Sequence, residues 1–195
     1  SLLLAESCRS KGFDVEILDC DVERLSIKES LSRVQKSNPR LIVFVVYGQN
    51  PNSGTTSMIG AIDLARSLKK ADLRVPPICF VGSHTSALPL EVLSEDCVDI
   101  VLLNEGVYAL HNLLKSDLKK DLPQIKGIGY KKLDLINGWI PVLNDPEIVV
   151  PQDRMDQDLP GYAWDLLPFK NKPLDLYRAH FWHTEFDHSQ RTPFA

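Results

Sequence analysis

The chain has 195 residues and a formal net charge of -4, and its composition of 44% hydrophobic and 25% charged residues is typical of a globular protein. The acidic balance argues against a dedicated nucleic-acid surface, which would show a basic footprint. The longest apolar run, residues 41–47, is far shorter than the roughly 20 residues that span a bilayer, and no signal peptide opens the chain, so we expect a cytoplasmic protein without membrane segments.

Strands and helices alternate over residues 1–122. One helix begins with the capping-box pair Ser26 and Glu29 and ends before Pro39. The continuous β-branched run over residues 41–46 indicates a strand covered on both faces, as in a parallel sheet. The predicted strands are residues 15–18, 41–46, 78–81 and 98–103. This alternation predicts an α/β protein with a Rossmann-like (flavodoxin-like) doubly wound parallel sheet.

The order of these elements indicates that one strand is lacking. A doubly wound sheet usually begins with a strand that lies in its middle, in orders such as 2-1-3-4-5. This chain instead opens inside a helix, residues 1–10, which stops at Gly12. We therefore expect the first strand and the loop after it to be absent from the chain.

The sequence pattern changes after Lys120. Asn137 and Gly138 lie between apolar segments, which is a strong hairpin signal. From Pro151 onward the sequence is rich in proline and aromatic residues and has no clear period. We therefore predict three parts: residues 1–122 as the Rossmann-like domain, residues 123–150 as a β-hairpin appendage and residues 151–195 as an irregular connector.

Glycine-containing loops follow two neighbouring predicted strands. Residues 82–85 follow the strand over residues 78–81, and residues 104–106 follow the strand over residues 98–103. In open parallel sheets, ligands bind outside the carboxyl ends of the strands. The two loops therefore predict a binding rim at that edge of the sheet.

Five motifs occur in a characteristic order. They are Gly82-Ser83-His84-Thr85, Asn104-Glu105-Gly106, the Gly127-Ile128-Gly129-Tyr130 strand, Asp158-Leu159-Pro160 and Trp164-Asp165-Leu166-Leu167. This order resembles the amino-terminal, cobalamin (B12)-binding domain of B12-dependent radical SAM enzymes. Such domains commonly show a Gly-Gly-x-His-x-Thr-like loop, a Gly-Glu-Gly-Glu-like loop, a short hairpin and a Leu-Pro-x-Pro-like connector.

The resemblance implies a cobalamin-binding domain whose connector leads to a radical SAM barrel that the chain lacks. The parent protein would also carry a [4Fe-4S] cluster and S-adenosylmethionine, often for methyl transfer to carbon. The cluster motif Cys-x-x-x-Cys-x-x-Cys occurs nowhere in the 195 residues. We therefore expect this fragment to be inactive by itself.

A corrin ring is wide and flat, so it needs a sheet edge where backbone comes close without side-chain bulk. Loop hydroxyls and amides could then hold its amide arms and nucleotide tail. The alternative is that the glycines only permit tight turns. The resulting candidate cofactor-binding residues are Tyr47, Gly48, Gln49, Gly82, Ser83, His84, Thr85, Asn104, Glu105 and Gly106.

No residue is assigned as catalytic or as a metal ligand. His84 lacks the Asp-x-His-x-x-Gly context in which other B12 enzymes supply a lower cobalt ligand. Asp19 could bind a ribose hydroxyl, but no Gly-x-Gly-x-x-Gly precedes it. The tail residues His180, His183 and His188 have ligand chemistry without a helical pattern to group them.

Two other functions are compatible with the predicted fold. A flavodoxin-like or receiver-like module would bind a small ligand, but a receiver should carry an aspartate where Tyr47 and Gly48 follow the strand. One half of a nucleotide-sugar transferase would require a second α/β repeat downstream. The hairpin and the connector stand in that position instead.

Overall fold

The computed structural model describes residues 1–20, 22–47, 51–71 and 75–168. Within these ranges, five strands form one sheet in the order β1-β2-β3-β4-β5. The strands are β1 (Ile42–Val45), β2 (Ile78–Val81), β3 (Ile100–Leu102), β4 (Ile128–Asp134) and β5 (Gly138–Leu143). The helices are α1 (Leu2–Ser10), α2 (Ile27–Ser37), α3 (Pro51–Ala71), α4 (Ser83–Ala87), α5 (Pro89–Ser94), α6 (Val107–Lys115) and α7 (Met155–Asp158). Short 3-10 turns occupy Leu122–Gln124, Gln152–Arg154 and Trp164–Leu166.

The sheet is parallel over its first three strands and antiparallel after them. Val43 lies opposite Cys79, and Phe80 lies opposite Val101, in the two parallel pairs. β4 runs antiparallel to β3, and β5 runs antiparallel to β4. The predicted α/β class and the predicted hairpin are both confirmed, and the hairpin continues the sheet through the β3-β4 pair.

Helices cover both faces of the parallel strands. All four residues of β2 are fully buried, and they alternate between two apolar clusters. Cys79 and Val81 pack with residues of α1 and α6, whereas Ile78 and Phe80 pack with residues of α3 and α5. Full burial of a side chain such as Phe80 contributes about 2 to 3 kcal/mol. β1 is only half-buried because it lies at the end of the strand order.

Local signals set the ends of the first two helices as predicted. Ser26 accepts a hydrogen bond from the Glu29 amide, and the Glu29 carboxylate accepts one from the Ser26 amide, which completes the capping box. α1 ends at Ser10, and Gly12, two residues later, has a φ of +85°. The amide of Phe13 donates to the carbonyl of Cys8, as in a Schellman motif.

The predicted strand over residues 15–18 is wrong. Burial does alternate from Phe13 to Ile17, and Phe13 and Val15 pack against the core cluster on the α1 side. However, the segment forms no ladder with the strands that the structure describes. Alternation of apolar residues specifies a buried face, whereas a strand also needs a neighbouring chain to receive its hydrogen bonds.

The loop after β2 is shorter than predicted. Residues 82–85 are predicted as a loop, but Ser83–Ala87 forms the short helix α4, which is too brief for hydrophobic periodicity to reveal. α3 begins at Pro51, because proline suits the first turn of a helix. The predicted irregular connector contains α7 and two 3-10 turns in its described part, residues 151–168.

The carboxyl ends of β1 and β2 touch at Gly82. The Val46 amide donates to the Val81 carbonyl at 2.8 Å, and a Cβ on Gly82 would lie 2.0 Å from the Val46 carbonyl oxygen. Gly82 also has a φ of +155°, which other residues rarely adopt. The close approach of the two strand ends therefore requires glycine at this position.

Replacement of Gly82 by alanine is expected to lower the free energy of unfolding by about 3 kcal/mol or more, through overpacking and backbone strain. The matched control is Gly60→Ala in α3, where a new Cβ meets no atom within 4 Å. That control should raise stability by about 0.5 to 1 kcal/mol. Urea unfolding followed by circular dichroism measures both, and equal stabilities would contradict the proposed packing of Gly82.

Candidate functional site

Three segments converge at the carboxyl edge of the parallel strands. Tyr47 follows β1, Gly82 and α4 follow β2, and Asn104, Glu105 and Gly106 follow β3. Because β1, β2 and β3 are parallel and adjacent, the ends of all three strands lie at one edge. We call these three segments the rim.

Direct contacts connect the segments of the rim. Gly82 packs against the Val46 carbonyl, which joins the first segment to the second. The Ser86 hydroxyl donates to the Asn104 carbonyl at 3.3 Å, which joins the second to the third. The rim is therefore a continuous surface.

A tight turn begins α6 in the third segment. Asn104 and Gly106 both have left-handed backbone, with φ values of +56° and +69°. A Cβ on Gly106 would lie 3.0 Å from the Leu102 Cβ and 3.1 Å from a Val81 methyl group. Like Gly82, this glycine permits close packing inside the domain. It also precedes the first turn of α6, whose backbone amides lie at the rim.

The second segment carries a hydroxyl that is both buried and unsatisfied. Thr85 has 0% exposure, and its Oγ1 has no hydrogen-bond partner within the described part of the chain. Ser83 is exposed and His84 is half-buried on the same short helix. Buried polar groups nearly always have partners, so the unpartnered Thr85 hydroxyl is an unusual feature of this segment.

Tyr47 and Glu105 interact across the rim. Burial of the half-exposed Tyr47 ring raises the pKa of its hydroxyl, and the negative charge of Glu105 raises it further. Glu105 also accepts a hydrogen bond from the Val150 amide at 3.2 Å. Glu105 thus interacts electrostatically with Tyr47 at the end of β1 and forms a hydrogen bond with the chain that follows β5.

The structure brings eight of the ten predicted site residues to the rim. Gly48 and Gln49 lie outside the described residues, as do His180, His183 and His188. Asp19, considered above for ribose binding, accepts a hydrogen bond from the Val22 amide and so stabilises a local turn.

The sequence did not reveal that residues 147–149 also reach the rim. They line a narrow crevice together with residues 103–109, and Ile148 and Val149 expose 67% and 54% of their surface. No local motif marks these residues, because their place depends on the path of the chain after β5. A shallow depression at the opposite edge is lined by Arg40, Pro77 and Lys115 and has no contact with the rim.

Comparison with known proteins identifies the domain. The family model described as "B12 binding domain" matches residues 1–114, which include all three segments of the rim. A comparison with curated proteins gave no match. The predicted resemblance is confirmed by this family match, as is cobalamin as the cofactor that characterises the family.

Solved structures share the fold. The cobalamin-dependent S-adenosylmethionine radical enzyme OxsB, with aqua-cobalamin bound, matches with a TM-score of 0.61 and 23% identity over 84% of this chain and 21% of its own. The radical S-adenosylmethionine methyltransferase TsrM from Kitasatospora setae, with cobalamin and a [4Fe-4S] cluster bound, matches with a TM-score of 0.57 and 16% identity. That match covers 77% of this chain and 26% of TsrM. The chain thus spans about a quarter of the length of these enzymes.

Among the helices that the structure describes, none combines the length and the apolar character that crossing a bilayer requires.

Replacement of Glu105 by glutamine is expected to lower the pKa of Tyr47. Removal of the carboxylate charge stabilises the ionised form of Tyr47, while glutamine can still accept the hydrogen bond from the Val150 amide. NMR of ¹³C-labelled tyrosine across a pH titration measures the shift. Glu91→Gln, at an exposed position of α5, serves as the control and should leave the Tyr47 pKa unchanged. An unchanged Tyr47 pKa in Glu105→Gln would show that the Glu105 charge does not act on Tyr47.

Proposed function

Because the chain belongs to the B12 binding domain family, we propose that it holds cobalamin against the rim formed by the carboxyl ends of β1, β2 and β3. The family match over residues 1–114 carries this proposal, since it covers every segment of the rim. The position agrees with the general rule that open α/β sheets bind ligands outside the carboxyl ends of their strands.

The polar groups of the rim fit the chemistry of cobalamin. The corrin carries amide side arms and a nucleotide tail, which require both hydrogen-bond donors and acceptors. Thr85 offers a buried hydroxyl without a partner, and Ser83 offers an exposed one. The first turn of α6, opened by Gly106, offers backbone amides, and Tyr47 offers a half-exposed ring and hydroxyl.

Each group would have a distinct role. Tyr47 would pack against the cofactor with its ring, and Ser83 and Thr85 would orient a polar arm or the tail through hydrogen bonds. Left-handed Asn104 and Gly106 would aim the amides of α6 at the ligand. Gly48, Gln49, His84 and Glu105 complete the proposed contact set. When bound, cobalamin supplies a cobalt centre that can carry a methyl group.

We further propose that the chain serves a B12-dependent radical SAM enzyme. Residues 1–122 would hold the cofactor, residues 123–150 would form the hairpin, and residues 151–195 would lead to the barrel with its [4Fe-4S] cluster and S-adenosylmethionine. OxsB and TsrM, which share the fold, are enzymes of this kind, and TsrM is a methyltransferase. Methyl transfer in the cytoplasm is therefore the reaction and location that we propose for the parent protein.

The family match favours this function over the two alternatives. A flavodoxin-like or receiver-like module would share the doubly wound sheet but not the match to the B12 binding domain. A nucleotide-sugar transferase would continue with a second α/β repeat. Between β3 and residue 168, the structure has an antiparallel hairpin and a connector instead.

The purified chain is expected to bind about one equivalent of hydroxocobalamin, seen as corrin absorbance that co-elutes in gel filtration and quantified by equilibrium dialysis. Thr85→Val should weaken binding about tenfold, which corresponds to one lost hydrogen bond of about 1.4 kcal/mol. The same variant should leave the stability of the cofactor-free protein unchanged or slightly higher, because the hydroxyl has no partner there.

The control variant is Ser67→Ala in α3, whose hydroxyl donates to the carbonyl of Asp63 in its own helix. Its affinity for hydroxocobalamin should equal that of the unmodified chain. Absence of co-eluting corrin from a folded, unmodified chain would refute the proposed function. Undiminished binding by Thr85→Val would remove Thr85 from the contact set.

A further inference from the structure

A segment remote in sequence is attached to the rim at two points. Residues 145–158, which we call the strap, run from the end of the hairpin to the end of α7. The Val150 amide of the strap donates to Glu105, and the Asp158 carboxylate of the strap accepts a hydrogen bond from the Tyr108 hydroxyl at 2.7 Å. Glu105 and Tyr108 lie on either side of Gly106, so both attachments hold the turn that begins α6.

Asp158 is the centre of the second attachment. Its side chain is buried and accepts hydrogen bonds from Lys11 at 2.8 Å, Tyr108 at 2.7 Å and Arg154 at 2.8 Å. These donors come from three places: the end of α1, the first turn of α6 and the strap itself. Hydrogen bonds from Arg154, Lys11 and Tyr108 hold the pKa of Asp158 far below its ordinary value. The carboxylate is therefore ionised and held from three directions.

The backbone of Asp158 is fixed as well. The buried Ser7 hydroxyl donates its proton to the Asp158 carbonyl, so it can only accept from the Nε2 of His111, which lies 3.0 Å away. His111 is also buried, and this burial lowers its pKa, which favours a neutral ring that carries its proton on Nε2. Ser7 and His111 thereby bind the strap to both α1 and α6.

The hydrogen-bonded group around Asp158, which we call the clamp, consists of Asp158, Ser7, Lys11, Tyr108, His111 and Arg154. None of these six residues belongs to the two apolar clusters. What the clamp fixes is the position of the strap relative to the turn of Asn104, Glu105 and Gly106. Beyond the clamp, the Ala163 amide donates to the Leu2 carbonyl, and Arg9 pairs with Asp165, so the connector remains against α1.

We propose that Asp158 and Tyr108 are positioning residues for the cofactor site, and that attachment of the strap and binding of cobalamin at the rim stabilise each other. In this proposal neither side chain touches the cofactor. They hold the third segment of the rim in its binding geometry through α6 and Val150. This inference rests on the proposed cobalamin function and adds a link between the site and the connector.

Thermodynamic linkage makes the proposal testable from both directions. If an attached strap favours cobalamin, then cobalamin must favour the attached strap by the same factor. Hydroxocobalamin should therefore slow hydrogen exchange of amides in residues 150–163 of the unmodified chain, which lie outside the proposed contact set.

Tyr108→Phe removes the hydrogen bond that joins α6 to the Asp158 carboxylate. The hydrogen bonds that Lys11 and Arg154 donate to Asp158 remain. This substitution should weaken hydroxocobalamin binding about fivefold. It should also abolish most of the protection from hydrogen exchange that hydroxocobalamin gives to residues 150–163. The matched control is Tyr162→Phe, which loses the same hydroxyl at an exposed site of the connector. Asp158→Asn, compared with Asp156→Asn on the exposed side of α7, provides a second pair for which the same contrast is expected.

The outcomes separate this inference from the function on which it rests. The coupling is refuted, and the cobalamin site stands, if the unmodified chain binds hydroxocobalamin without any change in the hydrogen exchange of residues 150–163. The same conclusion follows if folded Tyr108→Phe binds hydroxocobalamin as tightly as Tyr162→Phe does. If the unmodified chain binds no hydroxocobalamin at all, the proposed function fails and the positioning role fails with it.

Discussion

The parallel alignment of β1, β2 and β3 is the constraint on which the rest of the structure depends. β2 lies between the other two and is fully buried, so helices must cover both faces of the sheet. Parallel strands with helical crossovers place every strand-to-helix connection at the same edge. The rim therefore follows from the topology. Gly82 allows the first two segments of the rim to approach closely, because a side chain at this position would collide with the Val46 carbonyl.

The antiparallel hairpin returns the chain to that edge. Because β4 pairs with β3 and β5 pairs with β4, the chain leaves the sheet close to the third segment of the rim. Residues 147–149 then line the crevice beside α6, and Val150 reaches Glu105. The same part of the molecule thus lies at the proposed cofactor site and leads into the connector.

The sequence predicted what local chemistry determines. The capping box at Ser26 and the buried run of β2 could be recognised because their signals lie within a few residues. The segment over residues 15–18 shows where local prediction fails. Its alternating pattern correctly indicated a buried face, but whether it pairs as a strand depends on the whole sheet. For the same reason the site was predicted only in part: the rim follows strand ends, whereas the contact between Glu105 and Val150 joins residues 45 positions apart.

We propose that cobalamin occupies the rim and not another face of the domain. A ¹H–¹⁵N correlation spectrum recorded during titration with hydroxocobalamin distinguishes the two positions. If the rim binds cobalamin, the amide signals of Ser83, Thr85 and Glu105 shift or broaden in proportion to bound corrin, while those of Ile78 and Lys115 at the opposite edge do not. Changes centred on Ile78 and Lys115, with the rim signals unaltered, would contradict this proposal.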